Sequence, residues 1–244
     1  MTVSLYKRAP ITEAVVEFRS ASPVNEKKRQ KALKKLSKLY ADHNPVTHQE
    51  IKFEIKPGGG SRIQTTDSVL DKFSSVDMTQ QLHIRNLSFL VSQLAPYTGW
   101  EQFKSRIIRD WDTWRSAVSF RPIERVGMRY INRIDLPIAG PLVQYEDYVT
   151  VYPALPALLD PCAYHSVNVR VLLKDIESEL NLKSAVVPSP LPNHLAIVVD
   201  LDIARMYQTP PSDKELYSYI CQARIKKNEI FEACITQKAR ELFS

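Results

Sequence analysis

The sequence predicts an α+β fold in which a strand–helix–strands–helix unit occurs twice, the two copies forming one antiparallel, curved sheet with long helices on one face. Three observations predict it. The segment Pro10-Ile-Thr-Glu-Ala-Val-Val-Glu-Phe returns in outline as Pro122-Ile-Glu-Arg-Val-Gly-Met-Arg-Tyr. A second apolar run follows in each half, at residues 86–93 and 194–202. Each of those runs feeds a long amphipathic stretch, at residues 100–118 and 214–243. A period of about 110 residues is too long for a solenoid unit. Residues 1–119 and 120–244 therefore read as the two halves of one pseudo-symmetric body.

In residues 11–19, Thr12, Ala14, Val16 and Phe18 alternate with Glu13, Glu17 and Arg19, the period of a half-buried strand. Asn25 is placed to cap a helix over 26–40, whose Leu33, Leu36 and Tyr40 recur at helical spacing. Ile51, Phe53 and Ile55 mark a second strand, closed by a hairpin turn at Pro57-Gly-Gly-Gly-Ser. Extended segments at 72–84 and 87–94 follow, with Arg85-Asn86 as the tight turn between them. Trp100, Phe103, Ile107, Trp111, Trp114 and Val118 then make a continuous apolar stripe down one helix, which reads as core.

The pattern restarts with a long strand over 123–135 and a proline-rich stretch over 137–161 that admits at most a short helix near 144–152. The first helix is thus degraded in the second half. Val167, Val169 and Val171 alternate as a strand, residues 182–187 make another, and Leu195, Ile197, Val199, Leu201 and Ile203 form the last. Residues 214–243 are helical, with Leu216, Ile220, Ala223, Ile230, Cys234 and Leu242 apolar.

Composition narrows the function classes. The chain of 244 residues is 44% hydrophobic and 25% charged, ordinary for a globular protein with a real core. Its apolar runs fall far short of the roughly 20 residues that span a bilayer, and the first residues have no apolar export segment. Three cysteines, Cys162, Cys221 and Cys234, are odd in number and lack metal-ligand spacing, so a reducing, cytoplasmic setting is expected. The net charge of +6 hints at acidic partners without naming one.

Several motifs resemble a sporadically distributed bacterial family of similar length. They are the opening Tyr6-Lys-Arg-Ala-Pro-Ile-Thr-Glu-Ala-Val-Val-Glu-Phe-Arg, the middle Arg125-Val-Gly-Met-Arg-Tyr-Ile-Asn-Arg-Ile-Asp-Leu-Pro, Tyr97-Thr-Gly-Trp-Glu-Gln-Phe, Val199-Asp-Leu-Asp-Ile and Glu229-Ile-Phe-Glu-Ala-Cys-Ile-Thr. The resemblance implies a bacterial, cytoplasmic protein and no particular reaction, because that family has no assigned activity. Its patchy distribution is of the kind that accompanies mobile phage-defence and toxin–antitoxin operons. At the level of fold, the expected duplicated unit looks like the TATA-binding-protein architecture, which by itself implies nothing about DNA.

Three groups of residues could carry chemistry. Lys27, Lys28, Arg29, Lys31, Lys34, Lys35 and Lys38 make a basic helix that would attract a phosphate backbone, though no aromatic residues are interleaved for base stacking. Asp200 and Asp202, two apart on a strand, project from one face and could hold a divalent ion. They lack a third ligand at recognisable spacing, and Arg170 is close enough in the pattern to neutralise one of them. Arg129, Arg133 and Asp135 share a face of the strand that opens the second half, and Glu13 and Glu17 are expected to meet Arg125 and Arg129 across the junction. Pro57-Gly-Gly-Gly-Ser lacks the Lys-Ser/Thr of a phosphate loop. The five histidines are scattered, and no serine or cysteine stands in a nucleophile motif.

The expected function is therefore a non-catalytic binding protein without a cofactor or bound metal. Its binding face would carry Arg129, Arg133, Asp200 and Asp202, and its partner would be a protein encoded in the same operon, with no membrane role. The alternatives are a nucleic-acid-binding protein acting through residues 26–40 and a metal-dependent nuclease built on Asp200 and Asp202.

Overall fold

The computed structural model describes residues 6–56, 60–119, 122–138, 140, 143–159 and 162–243, with backbone alone for 47–56, 60–69 and 157. The elements run β1 (Ile11–Ser20), α1 (Glu26–Leu36), β2 (Asp42–Lys56), β3 (Gly60–Ser74), β4 (Gln80–Ile84), β5 (Ser88–Leu94), α2 (Trp100–Val118), β6 (Ile123–Pro137), β7 (Ser166–Leu173), β8 (Ser178–Pro188), β9 (His194–Met206), α3 (Asp213–Cys234) and α4 (Gln237–Glu241). The strands form one sheet in the order β2-β3-β4-β5-β1-β6-β9-β8-β7, and every pairing in it is antiparallel.

That architecture corrects the expected fold. The molecule is dominated by a nine-stranded antiparallel sheet with three long helices among the described residues, not by two equivalent strand–helix–strands–helix units in a TATA-binding-protein-like curved sheet. Among the described residues the first half supplies five strands and the second four, and no α-helix joins β6 to β7. The physical reason is proline: Pro137, Pro141, Pro153, Pro156 and Pro161 punctuate that connection, each lacking the N–H a helix interior needs. Among the described residues of the connection, only single 3-10 turns form, at Tyr145–Asp147 and Ala157–Leu159.

The two leading strands do lie side by side at the centre, as their shared pattern predicts. β1 pairs with β5 on one side and β6 on the other. Val16 lies opposite Met128 and Phe18 opposite Val126, all four fully or almost fully buried on the helical face. Against that face α2 lays its stripe. Trp111 stacks on Phe18 with ring centroids 4.5 Å apart and meets Phe89 edge-on at 5.4 Å. Trp111 and Trp114 are both buried, as the spacing predicts. Fully burying one such ring is worth several kcal/mol at roughly 25 cal/mol per Å².

The helix ends show why boundaries moved. Asn25 caps α1 by accepting from Lys27 N, as expected, but the helix stops at Leu36 and leaves Tyr40 in the turn leading to β2. Ser212 and Glu215 form a reciprocal capping box that starts α3. The expected helix over 214–243 is broken after Cys234: Ile235 is extended and bridges to Val149, and Thr236 caps a separate α4. Extended residues 72–84 are likewise two strands, because a turn at 75–79 separates β3 from β4. The expected turn at Pro57-Gly-Gly-Gly-Ser falls partly outside the described residues, at 57–59. Among the described residues no helix is long and apolar enough to cross a membrane.

Candidate functional site

In β1 and β6 every second side chain points away from the helices. On β1 these are Glu13, Val15 and Glu17, and on β6 Arg125, Gly127, Arg129, Ile131, Arg133 and Asp135. The antiparallel register then sets Asp202 of β9 beside Arg129 and Asp200 beside Ile131, with Asn181 and Lys183 of β8 next in line. Four strands thus bring charged residues from both ends of the chain onto one open surface.

The contacts on that surface differ from the simplest expectation. Arg129 grips Asp200 with two parallel hydrogen bonds, Nε to Oδ1 at 2.9 Å and Nη2 to Oδ2 at 2.6 Å. This bidentate fork raises the Arg129 pKa further. Glu17 pairs with Arg125, not with Arg129, and Arg125 also reaches Asp202 at 3.6 Å. Asp202 is nonetheless pushed above the usual carboxylate range, because burial outweighs the attraction of Arg125 and Arg129. Arg133 turns to Asp135 on its own strand at 3.2 Å, and Ser189 donates to the other oxygen of Asp135 at 2.7 Å. Ser92 and Ser88 donate to Glu13 and Glu17 at 2.6 and 2.7 Å.

Between these residues lies a cleft of about 240 Å³, walled by Glu13, Glu17, Arg125, Arg129, Asp202 and His83. Gly127 forms part of its floor. A Cβ built there would stand 2.7 Å from an Arg125 guanidinium nitrogen, so the missing side chain is what lets Arg125 fold across β6 toward Glu17 and Asp202. His83 is held neutral, its pKa lowered to about 4 by burial and by Lys72 and Arg85.

The carboxylate pair can be judged from its partners. Asp200 and Asp202 do share a face, but each is occupied by an arginine of β6, whereas Arg170, expected to neutralise one of them, pairs with Glu179 at 3.0 Å. Among the described residues no three His, Cys, Asp or Glu side chains gather as a metal site.

The basic helix divides into two sets. Arg29 is an internal anchor: it bridges to Asp71 of β3, a buried carboxylate that His43 also contacts at 2.8 Å. Lys28 and Lys35 lean on Ser119 and Ser116 beside α2, at 3.3 and 2.9 Å. Lys27, Lys31, Lys34 and Lys38 are exposed, the last beyond the helix end.

Comparison of the chain with protein-family models, curated proteins and solved structures finds no match.

Two clusters escaped the sequence reading. On the helical side, Asp110 is fully buried with Tyr40, Arg106 and Arg109 as partners, and Arg106 donates to the Ser92 and Gln81 carbonyls at 2.6 and 3.2 Å. Burial raises the Asp110 pKa against the opposing pull of these donors. Arg106 and Asp110 are four apart, the one signal that the α2 stripe carries a polar seam beside its aromatics. At the β1–β6 end, Tyr97, Tyr130, Asn132 and Lys227 line a second cavity. Lys227 lies four residues after Ala223 on the α3 core stripe, where a lysine is out of place.

Proposed function

We propose that this chain is a non-catalytic binding protein whose open sheet face engages a protein partner encoded beside it, as the recognition or neutralising component of a bacterial phage-defence or toxin–antitoxin operon. The observation that carries this reading is the mixed-charge ladder over β1, β6 and β9, which surrounds a cleft on the face opposite the helices. Each arginine of the ladder is paired with a carboxylate, so the face presents both signs of charge side by side. Such a surface suits a polar protein interface with alternating charge, where complementarity sets partner choice and encounter rate. It suits a polyanion poorly, because the ladder sets Glu13, Glu17, Asp135, Asp200 and Asp202 against only three arginines, Arg125, Arg129 and Arg133. A bacterial origin and a cytoplasmic setting belong to the same proposal.

Co-expression with the products of the adjacent genes tests it. A stable complex is expected, and Arg129→Glu together with Arg133→Glu should weaken it at least tenfold while the variant stays folded. No complex with any neighbour, or a complex indifferent to those changes, would defeat the reading.

A second reading rests on Lys27, Lys31, Lys34 and Lys38, which are exposed and whose side-chain amines form no hydrogen bond or ion pair among the described residues. If they contact nucleic acid, affinity for a polynucleotide should fall steeply with salt. Each lysine replaced should then lower the slope of log affinity against log salt by about one.

A further inference from the structure

The second cavity has about 250 Å³ and opens between the start of β1, the segment before α2, and α3. Arg224, Lys227, Asn228 and Phe231 line it from one face of α3, at the spacing i, i+3, i+4, i+7. Trp100 and Tyr97 form an aromatic wall opposite, and Gly99, with φ of +103°, makes the turn that carries them into α2. Tyr130 and Asn132 close the floor from β6.

Its polar groups are unbalanced. Lys227 is 5% exposed, and its side-chain amine has no hydrogen bond or ion pair among the described residues. Its ammonium nitrogen lies 4.1 Å from the centre of the Tyr130 ring. The Tyr130 hydroxyl is engaged with that of Tyr97 at 3.0 Å. Asn132 is 1% exposed: its Nδ2 donates to the Val199 carbonyl at 3.0 Å, and its Oδ1 has no partner. Every ionisable group near the amine can be named. Arg224 on α3 is a second cation. Glu232 attracts the amine from a distance, but its carboxylate is already shared, accepting from the Tyr6 hydroxyl at 2.6 Å and pairing with Arg240 at 2.9 Å. Tyr97 and Tyr130 are uncharged at neutral pH, their pKa values raised by burial, and Glu101 acts on Tyr97.

A buried cation without a counter-ion is costly unless something supplies the opposite charge. A buried acceptor without a donor is costly for the same reason. One molecule answers both deficits.

We propose that this cavity is a binding site for a small carboxylic acid with a single aromatic or apolar ring and one hydrogen-bond donor, its carboxylate set against Lys227 and Arg224 and its donor on Asn132 Oδ1. The size agrees. A cavity of about 150 Å³ accommodates benzene, so the larger space here takes one ring with short substituents. The aromatic lining supplies the contact area that such sites use. The state of the amine points the same way. Burial and Arg224 lower the Lys227 pKa to about 7 against the weaker pull of Glu232. An acid bound beside it restores the charged form, so binding at about pH 8 takes up a proton and binding at about pH 6 does not.

Calorimetric titration of the full chain tests the proposal with 4-hydroxyphenylacetate as probe. Phenylacetate, which lacks the donor, and 4-hydroxybenzyl alcohol, which lacks the carboxylate, serve as comparisons. The acid is expected to bind at least about tenfold more tightly than the alcohol, a difference of about 1.4 kcal/mol. It should take up close to one proton at about pH 8, read from buffers of different ionisation enthalpy. Lys227→Met keeps the volume and removes the charge, and should abolish both effects. Absence of binding by the acid at millimolar concentration would overturn the site, as would equal affinity for the alcohol, no proton uptake in the wild type, or unchanged binding by the folded Met variant.

Discussion

Glu17 and Arg125 are joined across the seam between β1 and β6 although neither is the other's register partner. Glu17 lies opposite Gly127, and Arg125 lies opposite Arg19. The guanidinium crosses two positions, over a residue with no side chain, and from there also faces Asp202. Both partners are about one-fifth exposed, so solvent screens the pair only in part. A double-mutant cycle on Glu17→Ala and Arg125→Ala should return a coupling of about 1 kcal/mol. The same cycle on Glu17 and Arg129 should return close to zero, since Arg129 is committed to Asp200. Denaturant unfolding of the four proteins in each cycle decides it.

Gly127→Ala is expected to act through Arg125 alone. The added methyl displaces the guanidinium and should cost about 1 kcal/mol by breaking its contacts. In an Arg125→Ala background the obstacle is gone. The same change should then be neutral or slightly stabilising, because alanine narrows the unfolded ensemble. Equal effects in both backgrounds, by thermal unfolding, would show that the glycine serves another purpose.

Trp111→Ala should cost about 3–5 kcal/mol, the usual range for a large buried ring. The indole contacts Phe18 and Phe89, and its nitrogen donates to Asp213 at the start of α3 at 3.3 Å, so it ties α2 to the sheet and to the second half. A loss under about 1 kcal/mol in equilibrium unfolding would mean that the cluster repacks around the gap.

Stability should depend on pH through Lys227. Its folded pKa, about 7, lies below the ordinary lysine value of 10.5, so between those values the unfolded chain binds more protons than the folded one. Stability therefore rises with pH across that window and carries its full penalty below about pH 7. Relative to Lys227→Met, the wild type should gain roughly 1.4 kcal/mol per pH unit as pH rises from about 7.5 to 9. The Met variant should be the more stable protein at neutral pH. Parallel stability–pH curves for the two proteins would contradict this.

The strands and α2 were legible because their patterns are local. Val16 and Phe18 alternate with Glu17, and Trp111 and Trp114 fall on one helical stripe, so each element shows its buried face without knowledge of its neighbours. What needed three dimensions was partner choice. Placing Glu17 against Arg129 follows from aligning the two motifs, but the actual register sets Glu17 opposite Gly127, and the long arginine side chain does the rest. Arg29 looks like one of seven surface cations until β3 brings Asp71 beneath it. The break after Cys234 was hidden because Ile235 continues the apolar pattern while leaving the helix to bridge Val149. Lys227 did carry a signal: a charged residue at a core position of an otherwise apolar stripe marks either a paired ion or an unfilled site.

The central seam has a consequence for how the chain becomes a protein at all. β1 and β6 are separated in sequence by six elements, yet each supplies the other's only neighbour on one flank. Until they meet, the folding chain exposes two long strands with unpaired backbone, each a template for the wrong partner. Contacts so distant in sequence form late and slowly. Fragments 1–119 and 120–244, made separately, should accordingly aggregate alone and rescue one another when refolded together, with each supplying the edge the other lacks.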